Sequence, residues 1–196
     1  MNSPLKYIVV EGSIGVGKTT LAKRLAKHFG SDLILEGAAE NPFLPQFYEN
    51  PAGAALAAQL FFLFQRIEQI KSMSQGDMFN PVRVADFMLE KDRLFAELTL
   101  TEDELKLYDR VYTEMAVDAP IPDLVIYLQA PIEILLARIK KRGIDHEQGM
   151  DADYLQRLSE TYVRFFYHYK KAPLLIINTT EVNFAEGEED FAMLLS

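Results

Sequence analysis

The sequence predicts an α/β fold: a central five-stranded parallel sheet with helices on both faces. Three observations predict it. Short β-rich apolar runs alternate with helical stretches along the chain. The runs are apolar almost throughout, as in strands covered on both faces, and do not alternate as half-solvated ones do. At 196 residues the chain can bury one sizeable core, and it carries no linker, repeat or low-complexity stretch that would divide it, so residues 1–196 read as one domain.

The elements are taken in chain order. Leu5–Val10 is a β-rich run ending at Glu11-Gly12. Thr19–Phe29 has helical periodicity and stops at Gly30, a residue suited to a left-handed C-terminus. Asp32–Glu36 reads as a second strand, followed by an irregular acidic segment holding Asn41-Pro42 and Pro45. Ala52–Met73 is a long helix closed near Gly76. Val82–Asp86 is a short strand, and Met88–Leu98 and Glu102–Val117 are helical. Asp123–Gln129 is a buried strand. Pro131–Lys141 is a helix with proline in its first turn. Gly143–Met150 is a polar loop, Asp151–Lys171 a helix and Leu174–Asn178 the last strand. The tail from Val182 is acidic and ends in a helix.

Composition removes several function classes. The formal net charge of −9 disfavours a nucleic-acid-binding surface, which needs a basic footprint. No apolar run approaches the roughly 20 residues that span a bilayer, so no membrane association is expected. The absence of cysteine rules out disulfides and thiolate metal sites. With no signal-peptide pattern at Met1–Lys6, a cytoplasmic location is expected.

Gly12-Ser13-Ile14-Gly15-Val16-Gly17-Lys18-Thr19 fits G-x-x-x-x-G-K-[ST]. The glycines let backbone N–H groups curl around phosphate oxygens. Lys18 is expected to reach the β/γ-phosphates and the Thr19 hydroxyl to ligate Mg²⁺. The next helix, with Thr20 in its first turn, points its positive end at the same anion. A strand before and a helix after are what the motif requires, so the donor is expected to be ATP with Mg²⁺.

The acceptor is read from the stretch between that helix and the middle of the long one. Between Lys27 and Arg66 there is no Lys or Arg, while Asp32, Glu36, Glu40 and Glu49 fall in that stretch. Ligands of such sheets lie outside the carboxyl ends of the strands. An acceptor carrying its own phosphate would want cations there, so a neutral alcohol is favoured over a nucleoside monophosphate. A hydroxyl acceptor needs a group to take its proton. Glu36, at the strand end, is the candidate base and Glu40 its rival. Gln59 and Arg66 are seven apart, on one helix face, with Phe61, Phe62 and Phe64 between them. They suit a nucleobase edge against an aromatic wall, or are core phenylalanines beside two surface polar residues.

Asp86 ends the third strand, where a carboxylate reaches the Mg²⁺ held by Thr19 or caps the next helix. Arg138 and Arg142 share one helix face. They are placed to fold over ATP and stabilise the transferring phosphoryl, forming with the polar loop a lid over about residues 138–150. Their alternative role is to complement a helix dipole.

These residues resemble the deoxynucleoside kinase family (deoxyadenosine, deoxyguanosine and deoxycytidine kinases), particularly its bacterial type, over nearly the whole chain. Glu36 followed by Glu40-Asn41-Pro42-Phe43-Leu44 and Phe47-Tyr48 resembles the family's base segment. Tyr48, Gln59 and Arg66 stand at its mutual spacings. The resemblance implies that Tyr48 holds the sugar 3′-hydroxyl, Gln59 hydrogen-bonds the base and Asp92 helps select it. It also implies that Arg138 and Arg142 grip phosphates, that Glu147 pairs with Tyr48, and that Val182-Asn183-Phe184 loops around the adenine. A P-loop kinase fold with a lid, and a homodimer formed through helices, are further implied. The chain departs from the pattern at three places. Phe87 stands where an arginine commonly follows the third-strand carboxylate, Gly37 replaces the proline after the base, and Ile144 takes a third lid-arginine position.

The expected reaction is ATP-dependent 5′-phosphorylation of a 2′-deoxynucleoside in nucleotide salvage, deoxyadenosine or deoxyguanosine first and deoxycytidine next. Rival readings are a thymidylate kinase-like nucleoside monophosphate kinase and a non-enzymatic nucleotide switch.

Overall fold

A computed structural model describes residues 5–75, 82–115, 118–182, 184 and 187–196. Five strands form one sheet: β1 (Tyr7–Gly12), β2 (Asp32–Ile34), β3 (Arg83–Ala85), β4 (Leu124–Gln129) and β5 (Leu174–Asn178). Their order is β2-β3-β1-β4-β5 and every pairing is parallel. The order reverses beside β1, so the crevice outside the carboxyl end of β1 is the natural ligand site.

The helices are α1 (Lys18–Phe29), α2 (Leu44–Glu49), α3 (Pro51–Gln75), α4 (Glu90–Thr99), α5 (Glu102–Glu114), α6 (Ile132–Arg142), α7 (Ala152–His168) and α8 (Glu188–Leu195), with single 3₁₀ turns at Ala38–Glu40 and Asp145–Glu147. Local chemistry explains their limits. Helix α1 ends at Gly30, left-handed at φ 59°, whose N–H closes onto the Ala26 and Lys27 carbonyls. Helix α5 starts in a capping box of Thr101 and Glu104. Asp151 caps α7 through the Asp153 N–H.

The expected sheet and most elements are present, with ends shifted by a few residues. β1 runs on through Glu11-Gly12, and the second strand stops at Ile34, two residues short of Glu36. The segment read as irregular contains α2. Pro45 lies in that helix's first turn, where a missing N–H costs no hydrogen bond, so the proline starts the helix and does not break it.

Two small apolar clusters outside the main core seat the site. Leu44 and Phe47 of α2 pack on Ala54, Ala55, Ala58 and Phe62 of α3. Leu63 and Ile67 on another face of α3 pack on Ala96 of α4 and Tyr108 of α5. Apolar faces of α3 are therefore covered by α2, α4 and α5 of the same chain, although Phe64 stays 44% exposed. Among the described residues no helix is long and apolar enough to cross a membrane.

Candidate active site

The phosphate loop leaves β1 at Gly12 and enters α1 at Lys18. Gly12 adopts φ +148°, and a Cβ there would lie 2.4 Å from the Leu128 carbonyl oxygen of β4. Gly15 adopts φ +81°, where a Cβ would meet Ile139 of α6 at 2.8 Å. Both positions are closed to any side chain. Lys18 Nζ donates to the Gly12 carbonyl at 2.9 Å and that of Ser13 at 3.2 Å, folding over the loop. Burial, then repulsion from Lys91, lowers its pKa to about 8. A cavity of about 620 Å³ is lined by Lys18, Thr19, Thr20, Arg138, Arg142 and Phe184, among others. Its size suits a nucleotide.

The expected lid residues meet there. Arg138 donates to the Thr179 hydroxyl (2.9 Å) and carbonyl (2.6 Å) and to the Val16 carbonyl (3.3 Å), tying α6 to the loop. Arg142 is ion-paired with Glu147. Lys141 also lines the cavity, whereas Ile144, at the third lid-arginine position, lies beyond the end of α6. Asn183 lies outside the described residues, whereas Val182 and Phe184 line the cavity.

Asp86 joins the two halves. Its Oδ2 accepts from the Thr19 hydroxyl at 2.5 Å and its Oδ1 from the Glu36 N–H at 2.8 Å. It does not cap a helix, because the next one begins at Glu90. Thr19 and Asp86 thus converge as a hard-oxygen pair. Among the described residues no cluster of three metal-ligating side chains exists. A sparse oxygen set fits Mg²⁺, which keeps waters and takes most other ligands from phosphates. Thr19 and Asp86 would hold the ion, which would supply charge neutralisation to the phosphates.

The segment after β2 is held from three sides. Gln69 Nε2 donates to the Leu35 carbonyl at 2.7 Å, Gln65 Nε2 to Glu40 at 2.8 Å, and the Glu36 N–H to Asp86. The two rival carboxylates part here. Glu40 is exposed, while the Glu36 side chain is 17% exposed and carries a cation on each oxygen. Arg66 donates to Oε1, and Lys91 Nζ to Oε2 at 2.6 Å. Burial alone would push the Glu36 pKa up, but the charges of Lys91, Arg66 and Lys18 outweigh it and hold it at about 2.

Arg66 extends its other guanidinium arm to Asp92, which is fully buried. Burial dominates there despite Arg66, and the Asp92 pKa rises to about 7. The guanidinium lies 5.1 Å from the centre of the Phe62 ring. Gln59, also buried, donates to the Thr99 hydroxyl at 3.3 Å. Gln59 Oε1 and Asp92 Oδ2 are buried without a hydrogen-bond partner. Tyr48 stacks on His146 of the lid, with centroids 5.8 Å apart and planes at 18°. Burial above all, then Tyr154 and Glu147, raises its pKa.

Sequence reasoning missed three of these residues. Lys91 completes the Glu36 cluster, and His146 docks the lid on Tyr48. Glu11, fully buried, accepts from the N–H groups of Gly12 and Met88 (both 3.0 Å) and from the Tyr162 hydroxyl (3.1 Å). The signal for Lys91 was a charge count: Glu36 and Asp92 around Arg66 leave one buried carboxylate without a cation.

A phosphate loop opening a helix at the switch point of a parallel sheet, with the Asp86 and Glu36 carboxylates beside it, defines a P-loop phosphotransferase. Comparison with known proteins narrows the class. The model of the deoxynucleoside kinase family matches residues 8–196, and the chain belongs to that family. It is a kinase that uses ATP to phosphorylate deoxynucleosides. It is 38% identical to a deoxyguanosine kinase of Bacillus subtilis, over 80% of this chain and 76% of that protein. It is 31% identical to a deoxyadenosine kinase of Lactobacillus acidophilus, over 92% and 88% of the two chains. A solved deoxyadenosine kinase from M. mycoides with bound dATP superposes with a TM-score of 0.84, at 23% identity, over 97% of this chain and 100% of that one.

Proposed function

We propose that the chain transfers the γ-phosphoryl group of Mg²⁺-bound ATP to the 5′-hydroxyl of deoxynucleosides whose base carries an exocyclic amino group, purines first. The observation that carries this is the charge balance at the acceptor end. Glu36 and Asp92 are matched by Arg66 and Lys91. With Asp92 ionised the cluster is neutral, and both of its cations are engaged by carboxylates, which fits an uncharged alcohol better than an acceptor phosphate. Glu36 receives the hydroxyl proton. Its low pKa suits a loose transition state in which the base mainly orients the nucleophile and accepts the proton late. Lys18, Arg138 and Arg142 neutralise the transferring group from the donor side, and Thr19 with Asp86 holds the metal. Phe184, which lines the nucleotide cavity, flanks the adenine.

Base choice rests on Gln59, Phe62, Arg66 and Asp92. The unpartnered Asp92 and Gln59 oxygens want N–H donors. Guanine, adenine and cytosine offer an amino group, whereas thymine presents carbonyls in its place. Deoxyguanosine and deoxyadenosine are placed first, with support from the named activities of the Bacillus and Lactobacillus relatives. Tyr48 and Glu147 hold the sugar 3′-hydroxyl. A homodimer in the cytoplasm completes the reading.

Steady-state rates with the four deoxynucleosides, ATP and Mg²⁺ test it. Thymidine is expected to show a kcat/KM about 10- to 100-fold below the best purine, since an unmet buried acceptor costs on the order of 1–3 kcal/mol. Equal use of thymidine would overturn the base assignment, and activity on none of the four the whole reading.

A further inference from the structure

Lys91 belongs to neither the phosphate loop nor the segment after β2, yet it is 3% exposed at the meeting point of the two. It enters from the first turn of α4. Its ammonium lies 2.6 Å from Glu36 Oε2, on the oxygen that Arg66 does not hold. It also lies 5.5 Å from the centre of the Phe95 ring. Its charge interacts with Glu11 below the phosphate loop and with Lys18 in it.

A lysine is rarely this buried. Removing an ammonium from water is costly, and an ion pair of this kind is often no more stable than an apolar pair of the same volume. Stability alone therefore gives little reason for a lysine at position 91. Position matters more. Arg66 is already shared, one arm to Glu36 and one to Asp92. Phe87, next to the metal-side carboxylate Asp86, is fully buried and apolar, so no cation reaches Glu36 from there.

Resting on the proposed phosphorylation of a deoxynucleoside hydroxyl, we propose that Lys91 is a positioning residue of the acceptor half. It fixes the Glu36 carboxylate from the side opposite Arg66 and supplies the acceptor-side cation that position 87 does not. Each carboxylate oxygen has two lone-pair sites. With a cation on each oxygen the carboxylate plane cannot swing, and a lone pair remains for the incoming hydroxyl. Lysine offers a point charge on a flexible stem where Arg66 offers a planar fork, so the two divide the work of orientation.

The test uses the full chain and the deoxynucleoside that the wild type turns over fastest. Lys91→Met keeps the volume and removes the charge. It is expected to lower kcat about 100-fold, the scale of a misplaced reacting group, with the KM for ATP within about twofold of wild type. Lys91→Arg is expected to recover most of the lost kcat. If Lys91→Met lowers thermal stability enough to prevent assay, Lys91→Gln takes its place with the same expected loss. A neutral variant that keeps kcat within about threefold overturns the inference while the active wild type leaves the reaction assignment standing. A loss that arginine does not restore, or one shared by the KM for ATP, marks a structural lysine and overturns it equally. A wild type inactive on all four deoxynucleosides brings down both.

Discussion

The donor and acceptor halves of this site are built by opposite means. The donor half is one contiguous stretch, Gly12–Thr19, whose working groups are mostly backbone and whose shape depends on two glycines packed against β4 and α6. The acceptor half is assembled from side chains on separate elements: Glu36 after β2, Tyr48 on α2, Gln59 and Arg66 on α3, and Lys91 and Asp92 on α4. A backbone cradle reads charge and geometry common to every nucleoside triphosphate. A side-chain cluster can be altered one residue at a time, so the proposed reading puts substrate choice there and leaves the donor half generic.

The largest effect is expected from breaking the donor half alone. Gly12→Ala puts a Cβ 2.4 Å from a β4 carbonyl oxygen, at φ +148°. Neither backbone can move without parting β1 from β4, which pair along five residues. Turnover should become undetectable and thermal stability fall, overpacking typically costing about 1–3 kcal/mol. Titration calorimetry should show ATP binding lost. A Gly12→Ala chain with normal ATP affinity would show that the cradle tolerates a side chain there.

The acceptor half gives the mirror image. Glu36→Gln removes the charge on which Arg66 and Lys91 converge. Loss of a general base lowers kcat about 10²- to 10⁴-fold. The KM for ATP should hold near the wild-type value, because the groups that bond the Glu36 carboxylate come from α3 and α4 and not from the phosphate loop. Wild-type turnover by Glu36→Gln would remove Glu36 as the base.

The contrast also explains what could be read from sequence. The parallel sheet and the donor loop were legible because both are local: β-branched apolar runs, and glycines and a lysine at fixed spacing. Helix α2 was not, because Pro42 and Pro45 mark a break wherever the position within the first turn is unknown. The stretch between Lys27 and Arg66 read as cation-free, and in sequence it is. In space Glu36 is held by two cations that the chain brings back from α3 and α4, the second of them 55 residues away. Lys91 carries no motif, and the role proposed for it exists only once α4, packed on α3, brings it to the segment after β2. The apolar faces of α3 were visible in the sequence, but not that α2, α4 and α5 pack on them.

The smallest expected effect separates the halves by pH. Lys18 has its pKa lowered from 10.5 to about 8, first by burial and then by Lys91. Below that value it is charged and attracts phosphate. Above it the neutral amine must take up a proton before binding. ATP affinity should therefore weaken as pH rises from 8 to 9.5, by at most about tenfold per unit. Over the same range Glu36, at about 2, and Asp92, at about 7, are both ionised, so their charge at the acceptor end changes little. Deoxynucleoside affinity should stay nearly flat where ATP affinity falls. Calorimetric titrations of each ligand alone, at constant ionic strength, give the two slopes. Parallel slopes would mean that Lys91 and Lys18 titrate as one coupled unit, and that the two halves are joined by charge more tightly than their separate construction suggests.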